Sequence, residues 1–167
     1  MLVGAAASKA YRSGQRARWS AVAAAAAWSA LSMLPDADVI GFKLGVRYAD
    51  PWGHRGATHS FVFALAVAAL VALIARAAKL PGWRTFLVAA AVVASHPLLD
   101  TMTDGGLGCA LLWPFSDERF FAPWRPIPVA PIGPRFLSAR GLRIALTELV
   151  LLSPFLIYAL WPRRRRA

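Results

Sequence analysis

Cysteine is almost missing from this chain. Cys109 is the only one in 167 residues, which excludes an internal disulfide framework. Charge is scarce as well: Asp, Glu, Lys and Arg together make up 16% of the sequence, against about 25% in an ordinary soluble domain. Acids are scarcer than bases, 8 against 19, for a net charge of +11. No internal repeat is present. No cleavable signal peptide is expected either, because no apolar core follows the basic first 18 residues closely enough to a cleavage site. What the chain does have is apolar surface. Hydrophobic residues account for 58% of it and the mean hydropathy is +0.51. That excludes a disordered chain and leaves a membrane protein or an unusually apolar soluble one, of a length that suits one domain, 1–167.

Four apolar spans are predicted, at about 19–34, 61–78, 84–99 and 143–161. The stretches 61–75 and 85–99 hold no Asp, Glu, Lys or Arg. A bilayer core takes roughly 20 helical residues, so each span needs its flanks to cross. Pro97 is expected to kink or end the third. Four buried helices of a soluble bundle are the alternative, disfavoured because the spans lack polar residues at helical period. On a soluble protein the basic balance would point to nucleic acid, but the placement of the charges points to topology instead. Eleven positive residues, Lys9, Arg12, Arg16, Arg18, Arg76, Lys79, Arg84 and Arg163 to Arg166, fall in short segments without a single acid. The other eight share the longer loops with seven acids. The positive-inside rule then places both termini in the cytoplasm. Loops 35–60 and 97–142 face the other side. The terminal arginines beside Trp161 suit anionic lipid, and no nucleic-acid partner is expected. The expected fold is all-α, an integral membrane bundle of about four helices. Its cap is a loop rich in Pro, Gly and Trp, with Trp113 and Trp124 at headgroup level and Arg119, Arg125 and Arg135 free to grip an anion.

The polar chemistry gathers at the loop-bearing end. In LPDADVIGF, Pro35 ends the first span and Asp36 and Asp38 follow. Two residues apart, they do not share a helix face. They mark a helix exit, or, in a turn, they aim at one cation. In HRGATHS, His54 and His59 lie about 140° apart on a regular helix. A loop position for one and a first-turn position for the other would let them converge. Thr58 or Ser60 suits a helix cap, Gly56 a close backbone approach, and Arg55 a planar grip on phosphate or carboxylate. In SHPLLDTMTDGG, His96 and Asp100 are spaced for one helix face, and Asp104 extends that row by a turn. Imidazole with carboxylate is a ligand set for zinc and similar divalent ions; Asp100 acting as an orienting carboxylate, or simple capping, are the alternatives. Glu148, early in the last span, has four readings: completing a metal site, acting as a base, pairing with Arg143, or reaching outward.

Taken together in this order and spacing, LPDADVIGF, HRGATHS, SHPLLDTMTDGG and the following LLWPFSDERFF resemble the YdjM family of small bacterial inner-membrane proteins over about residues 30–125. The resemblance implies a metal-dependent hydrolase, distantly similar to zinc-dependent phospholipases C and nucleases, in the bacterial inner membrane. It implies Asp36, His54, His59, His96 and Asp100 as ligand candidates, to which Asp104 is added here, and zinc as the expected ion. One feature departs from the family: its members begin with a Thr-His pair ahead of a small-residue helix, whereas MLVGAAASKAYRS has no histidine. Either an upstream extension or a missing ligand accounts for this.

The expected reaction is hydrolysis of a phosphoester, small or lipid-linked. Asp38 or Asp100 would take a proton, and Arg55 would stabilise charge on a phosphoryl oxygen. The competing expectation is a non-catalytic membrane protein that binds metal or anionic lipid. A transporter is disfavoured, because no His or Asp lies mid-span.

Overall fold

The structure is a computed structural model that describes residues 1–12, 20–130 and 137–161, without the Arg12 side chain. Arg16, Arg18, Arg135 and Arg163 to Arg166, to which the sequence assigned roles, lie outside the described residues. The helices are α1 (Leu2–Arg12), α2 (Ala21–Ser32), α3 (Phe61–Ala77), α4 (Gly82–Thr101), α5 (Ala139–Leu151) and α6 (Ser153–Leu160), with tighter 3₁₀ turns over Leu34–Leu44 and Ala57–His59. Among the described residues there is no strand, only isolated bridges at Thr103–Ile127 and Cys109–Phe120.

The all-helical expectation holds; the four full spans are met only in part. Among the described residues helix α4 alone is long and apolar enough to cross a bilayer, while α2 and α3 are apolar but shorter. The last expected span is broken, with α5 and α6 meeting at 64°. Pro154 explains the break: it has no N–H to donate, and its ring would collide with the Val150 carbonyl one turn back. Pro97 acts differently. Helix α4 runs through it to Thr101.

Small residues let these helices approach closely. Ala68 of α3 and Ala89 of α4 are wholly buried, in a cluster with Val92, Tyr11 and Trp28. The larger apolar side chains, such as Leu65, Leu70, Leu73 and Ile74 of α3 and Leu87 of α4, point outward. A water-soluble bundle shows the opposite distribution.

Helix α1 was not expected. It packs against α2 so tightly that a Cβ at Gly4 would lie 2.2 Å from the Trp28 carbonyl oxygen. Its Tyr11 ring packs on Trp28, and the Tyr11 hydroxyl pairs with Thr85 at 2.6 Å. Ser29 donates to the Met1 carbonyl, and the Met1 amine meets Met33 Sδ. Met1 therefore sits at the C-terminal end of α2, beside the loops, whereas the sequence placed it with the basic segments. Trp161 accepts a bond from Lys9, about two turns further along α1.

The cap is stitched to the helix ends by backbone bonds. Cys109 and Phe120 exchange both N–H bonds, Ala110 donates to Arg55, Phe61 to Leu111, Ala122 to Thr101, and Ile127 to Met102.

Candidate metal centre

Pro35 cannot extend α2, since its ring would meet the Leu31 carbonyl. The helix stops at Ser32 and the chain re-enters as a 3₁₀ helix, which Gly45 ends in a left-handed conformation (φ 83°). At three residues per turn, Asp36 and Asp38 diverge, and they straddle one imidazole. Asp38 Oδ2 lies 3.2 Å from His59 Nδ1; Asp36 Oδ1 lies 3.7 Å from His59 Nε2.

His59 arrives on the Ala57–His59 turn just ahead of α3. Ser60, not Thr58, caps that helix, accepting the Phe63 N–H. The turn is possible because Gly56 lets two backbones meet: a Cβ there would lie 2.2 Å from the Pro51 carbonyl oxygen. Arg55 takes φ 64°, a strained choice for a residue with a side chain. Its backbone is held on both sides, its N–H on Asp38 Oδ2 at 3.2 Å and its carbonyl on the Ala110 N–H.

His96 comes from α4, four residues before Asp100. Its Nδ1 lies 2.9 Å from the Ser32 carbonyl, one of the acceptors that a helix end leaves without an intrahelical partner. A carbonyl only accepts, so Nδ1 carries the proton and Nε2 of the neutral ring presents a lone pair. On His59, Nδ1 meets Thr58 Oγ1 at 3.1 Å and Asp38 Oδ2 at 3.2 Å, which leaves Nε2 as the nitrogen that takes a proton in the metal-free site and would give it up to a cation. Both Nε2 atoms are buried and meet no hydrogen-bond partner among the described residues. Both face carboxylates: His96 Nε2 is 3.2 Å from Asp36 Oδ1 and 3.8 Å from Asp100 Oδ2, and His59 Nε2 is 3.4 Å from Asp100 Oδ2.

Asp36, His59, His96 and Asp100 thus offer four donor atoms, all within 4.8 Å of one another. A tetrahedral ion with bonds of about 2.0–2.2 Å would space its ligand atoms roughly 3.3–3.6 Å apart. The four distances above, 3.2 to 3.8 Å, bracket that spacing. The residues fit a divalent cation in donor chemistry, in spacing and in orientation. Each imidazole is turned by a partner on its far nitrogen, the usual support of a metal-bound histidine.

Electrostatics points the same way. Three carboxylates, Asp36, Asp38 and Asp100, face one permanent cation, Arg55, whose Nε is 3.2 Å from Asp100 Oδ2. Burial works to raise the pKa values of Asp36 and Asp38. The imidazoles hydrogen-bonded to them, with Thr58 also on Asp38, hold both well below the usual carboxylate range instead. Burial likewise works against a charged His59, but Asp100, Asp36 and Asp38 raise its pKa to about 10. The cluster draws a positive charge to the point where the two Nε2 atoms meet.

Several residues take places other than those the sequence suggested. Asp104 does not join the four donors: α4 ends at Thr101, so the helical row stops, and exposed Asp104 accepts the Val129 N–H at 2.7 Å. His54 is also outside the four. Its Nδ1 bonds to Asp38 Oδ1 at 2.7 Å, and its ring packs against Tyr48 and His59. His54, Asp38 and His59 form a second converging group, whose short contacts are already hydrogen bonds. Asp38, read as a proton acceptor, has a fully buried side chain and is engaged by His54, His59, Thr58 and the Arg55 N–H. Arg55 is buried, with Nη1 on Thr103 Oγ1 at 2.8 Å and on the Gly105 carbonyl at 2.9 Å. Arg119, expected to grip an anion, donates to the carbonyls of His54, Tyr48 and Asp50. Arg125 stacks on Phe121. Half-buried Glu148 belongs to neither donor group and makes no ion pair with Arg143 among the described residues. The Ser32 carbonyl left no signal in the sequence; Thr103 lies within SHPLLDTMTDGG without having been singled out.

A family model described as "YdjM inner membrane protein" matches residues 1–165. The chain belongs to the YdjM family. It is 47% identical over 140 residues to "Inner membrane protein YbcI" of Escherichia coli (strain K12), covering 81% of each chain. No solved structure matches it. As a YdjM protein it is an inner-membrane protein.

Proposed function

We propose that this YdjM protein is a membrane-bound metal-dependent hydrolase of phosphoester substrates. Asp36, His59, His96 and Asp100 hold the ion, and zinc suits their mixed nitrogen and oxygen donors. The observation that carries the reading is the orientation of the two imidazoles. Each has its Nδ1 locked to a partner, and each turns a buried, unbonded Nε2 toward two carboxylates. When bound, a divalent ion supplies Lewis-acid polarisation of a phosphoryl oxygen and lowers the pKa of coordinated water.

The chain's own residues divide the remaining work. Asp38 orients His54 and His59. Arg55 anchors Asp100 and offsets part of the carboxylate charge. Asp36 is the most accessible ligand, with its side chain 34% exposed against 20% for Asp100, so substrate approaches past Asp36. The exposed Trp124 and Phe115 of the cap suit the headgroup region, and a lipid-linked phosphoester would arrive at that depth.

A non-catalytic metal-binding role is the second reading. Four protein ligands resemble a closed structural site more than a catalytic one with an open position. Metal analysis of detergent-purified protein, with His59→Ala and Asp100→Ala, tests both. One zinc per chain, lost in both variants, with turnover of bis(para-nitrophenyl) phosphate lost in parallel, supports the hydrolase. Zinc bound without turnover of phosphodiesters or phosphomonoesters supports the second reading. Absence of any bound divalent ion overturns both.

A further inference from the structure

A cleft of about 420 Å³ opens between the cap and the start of α5, lined by Pro128, Ala139, Arg140, Arg143, Ile144 and Thr147. Its volume falls within the range of roughly 300–1,000 Å³ usual for ligand clefts. On α5 the lining residues 140, 143, 144 and 147 follow helical spacing, so they form one continuous face. Two cations stand at its beginning and apolar surface continues from them.

The cations are out of place by two rules. A helix start carries partial positive charge and favours acids, yet the first turn of α5 has no acid and two arginines close behind its cap. In addition, they stand on the loop-bearing end of the bundle, away from the basic turn of Arg76, Lys79 and Arg84. Neither guanidinium has an ion pair, hydrogen bond or ring contact among the described residues. An anion bound between them would relieve both conflicts. The wall beyond them, Pro128, Ala139 and Ile144, is apolar and gives a small hydrated anion nothing to contact. It does suit the glycerol and upper acyl region of a lipid. Leu151, 39% exposed and seven residues beyond Ile144, lies on the same face of α5 and continues it away from the arginines.

We infer that this cleft binds the headgroup of an anionic phospholipid, with its phosphate on Arg140 and Arg143 and its hydrocarbon along α5. The site is separate from the four-donor cluster and does not depend on that cluster being catalytic. Arginine forks are the side chains best matched to phosphate oxygens.

The test is a thermal-shift titration of the full chain in neutral detergent with phosphatidylglycerol, phosphatidylcholine or inorganic phosphate. Phosphatidylglycerol raises the melting temperature in a saturable way, and the other two do not. Arg140→Gln/Arg143→Gln loses two charge-assisted contacts and weakens phosphatidylglycerol about tenfold or more. Ala139→Trp, which fills the cleft and leaves both arginines in place, also abolishes the shift. Arg76→Gln, at the other end of the bundle, retains it. Equal shifts from phosphatidylcholine, a full shift from inorganic phosphate, or an unchanged phosphatidylglycerol titration in the folded cleft variants would each overturn the assignment.

Discussion

Asp38→Asn separates the residues that hold the ion from those that aim them. The native carboxylate accepts from His54 Nδ1 at 2.7 Å, Thr58 Oγ1 at 2.7 Å, the Arg55 N–H at 3.2 Å and His59 Nδ1 at 3.2 Å. Asparagine keeps the shape but replaces one acceptor oxygen with an NH₂ group. Whichever way the amide turns, that group faces donors: His54 on one side, or Thr58, Arg55 and His59 on the other. Turned toward Thr58 and the Arg55 N–H it strands a buried donor, at a cost of about 1–3 kcal/mol, and turned toward His54 it forces that imidazole into its other tautomer. His59 also loses the negative charge that holds the proton on its Nδ1, so Nε2 is no longer the nitrogen reserved for the ion. Loss of such a supporting carboxylate weakens metal binding by about 10–100-fold, although all four proposed ligands remain. Zinc affinity is read by competition with a fluorescent chelator, and stability by melting in the presence of a metal chelator. Asp38→Asn should lower both. Asp36→Asn removes a ligand and should cost more affinity and less metal-free stability. An Asp38→Asn protein with native zinc affinity would refute the orienting role.

Three further outcomes follow from the geometry. In metal-free protein the pKa of His59 is raised from 6.5 to about 10, so its stabilisation is complete below about pH 6.5 and is lost as pH rises toward 10; Asp36 and Asp38 are shifted down from 3.8 and contribute above about pH 4. The melting temperature without metal should therefore plateau between these limits and decline on the alkaline side, and a rise from pH 6.5 to 9 would contradict the charge arrangement. Gly56→Ala drives a Cβ into the carbonyl oxygens of Pro51 and Gly53, at 2.2 and 2.8 Å; it should abolish zinc binding and lower the melting temperature sharply, and a native-like variant would show that the turn is not as tight as described. Asp104→Asn leaves the four donors untouched, so its zinc affinity should stay within about twofold of the native value, while loss of the charged acceptor for Val129 costs about 1 kcal/mol in the cap, measured as a small drop in melting temperature.

The membrane class was legible because it rests on composition. Few charges, apolar runs and basic segments free of acid are one-dimensional properties, and the bilayer reads them in one dimension. The polar end was legible for a similar reason: Asp36, His59, His96 and Asp100 all stand where an apolar run stops. The break at Leu152 was also within reach, since Pro154 is visible inside the expected last span. Helix α1 was harder to see. Its buried face is made of Gly4, Ala6, Ser8 and Tyr11, small or polar residues that carry little hydropathy signal but pack closely against α2.

Residue types and spacing by themselves determined that imidazoles and carboxylates would collect at one end of a helical bundle. They did not separate ligands from supports, because His54 and His59, or Asp36 and Asp38, are chemically the same. Tertiary structure made that distinction through direction. A 3₁₀ turn sends Asp36 and Asp38 to opposite nitrogens of His59, the end of α2 gives His96 a carbonyl, and the end of α4 leaves Asp104 at the surface. Hydrogen-bond geometry depends on where a side chain points, and pointing is settled only when separate segments of the chain are packed together.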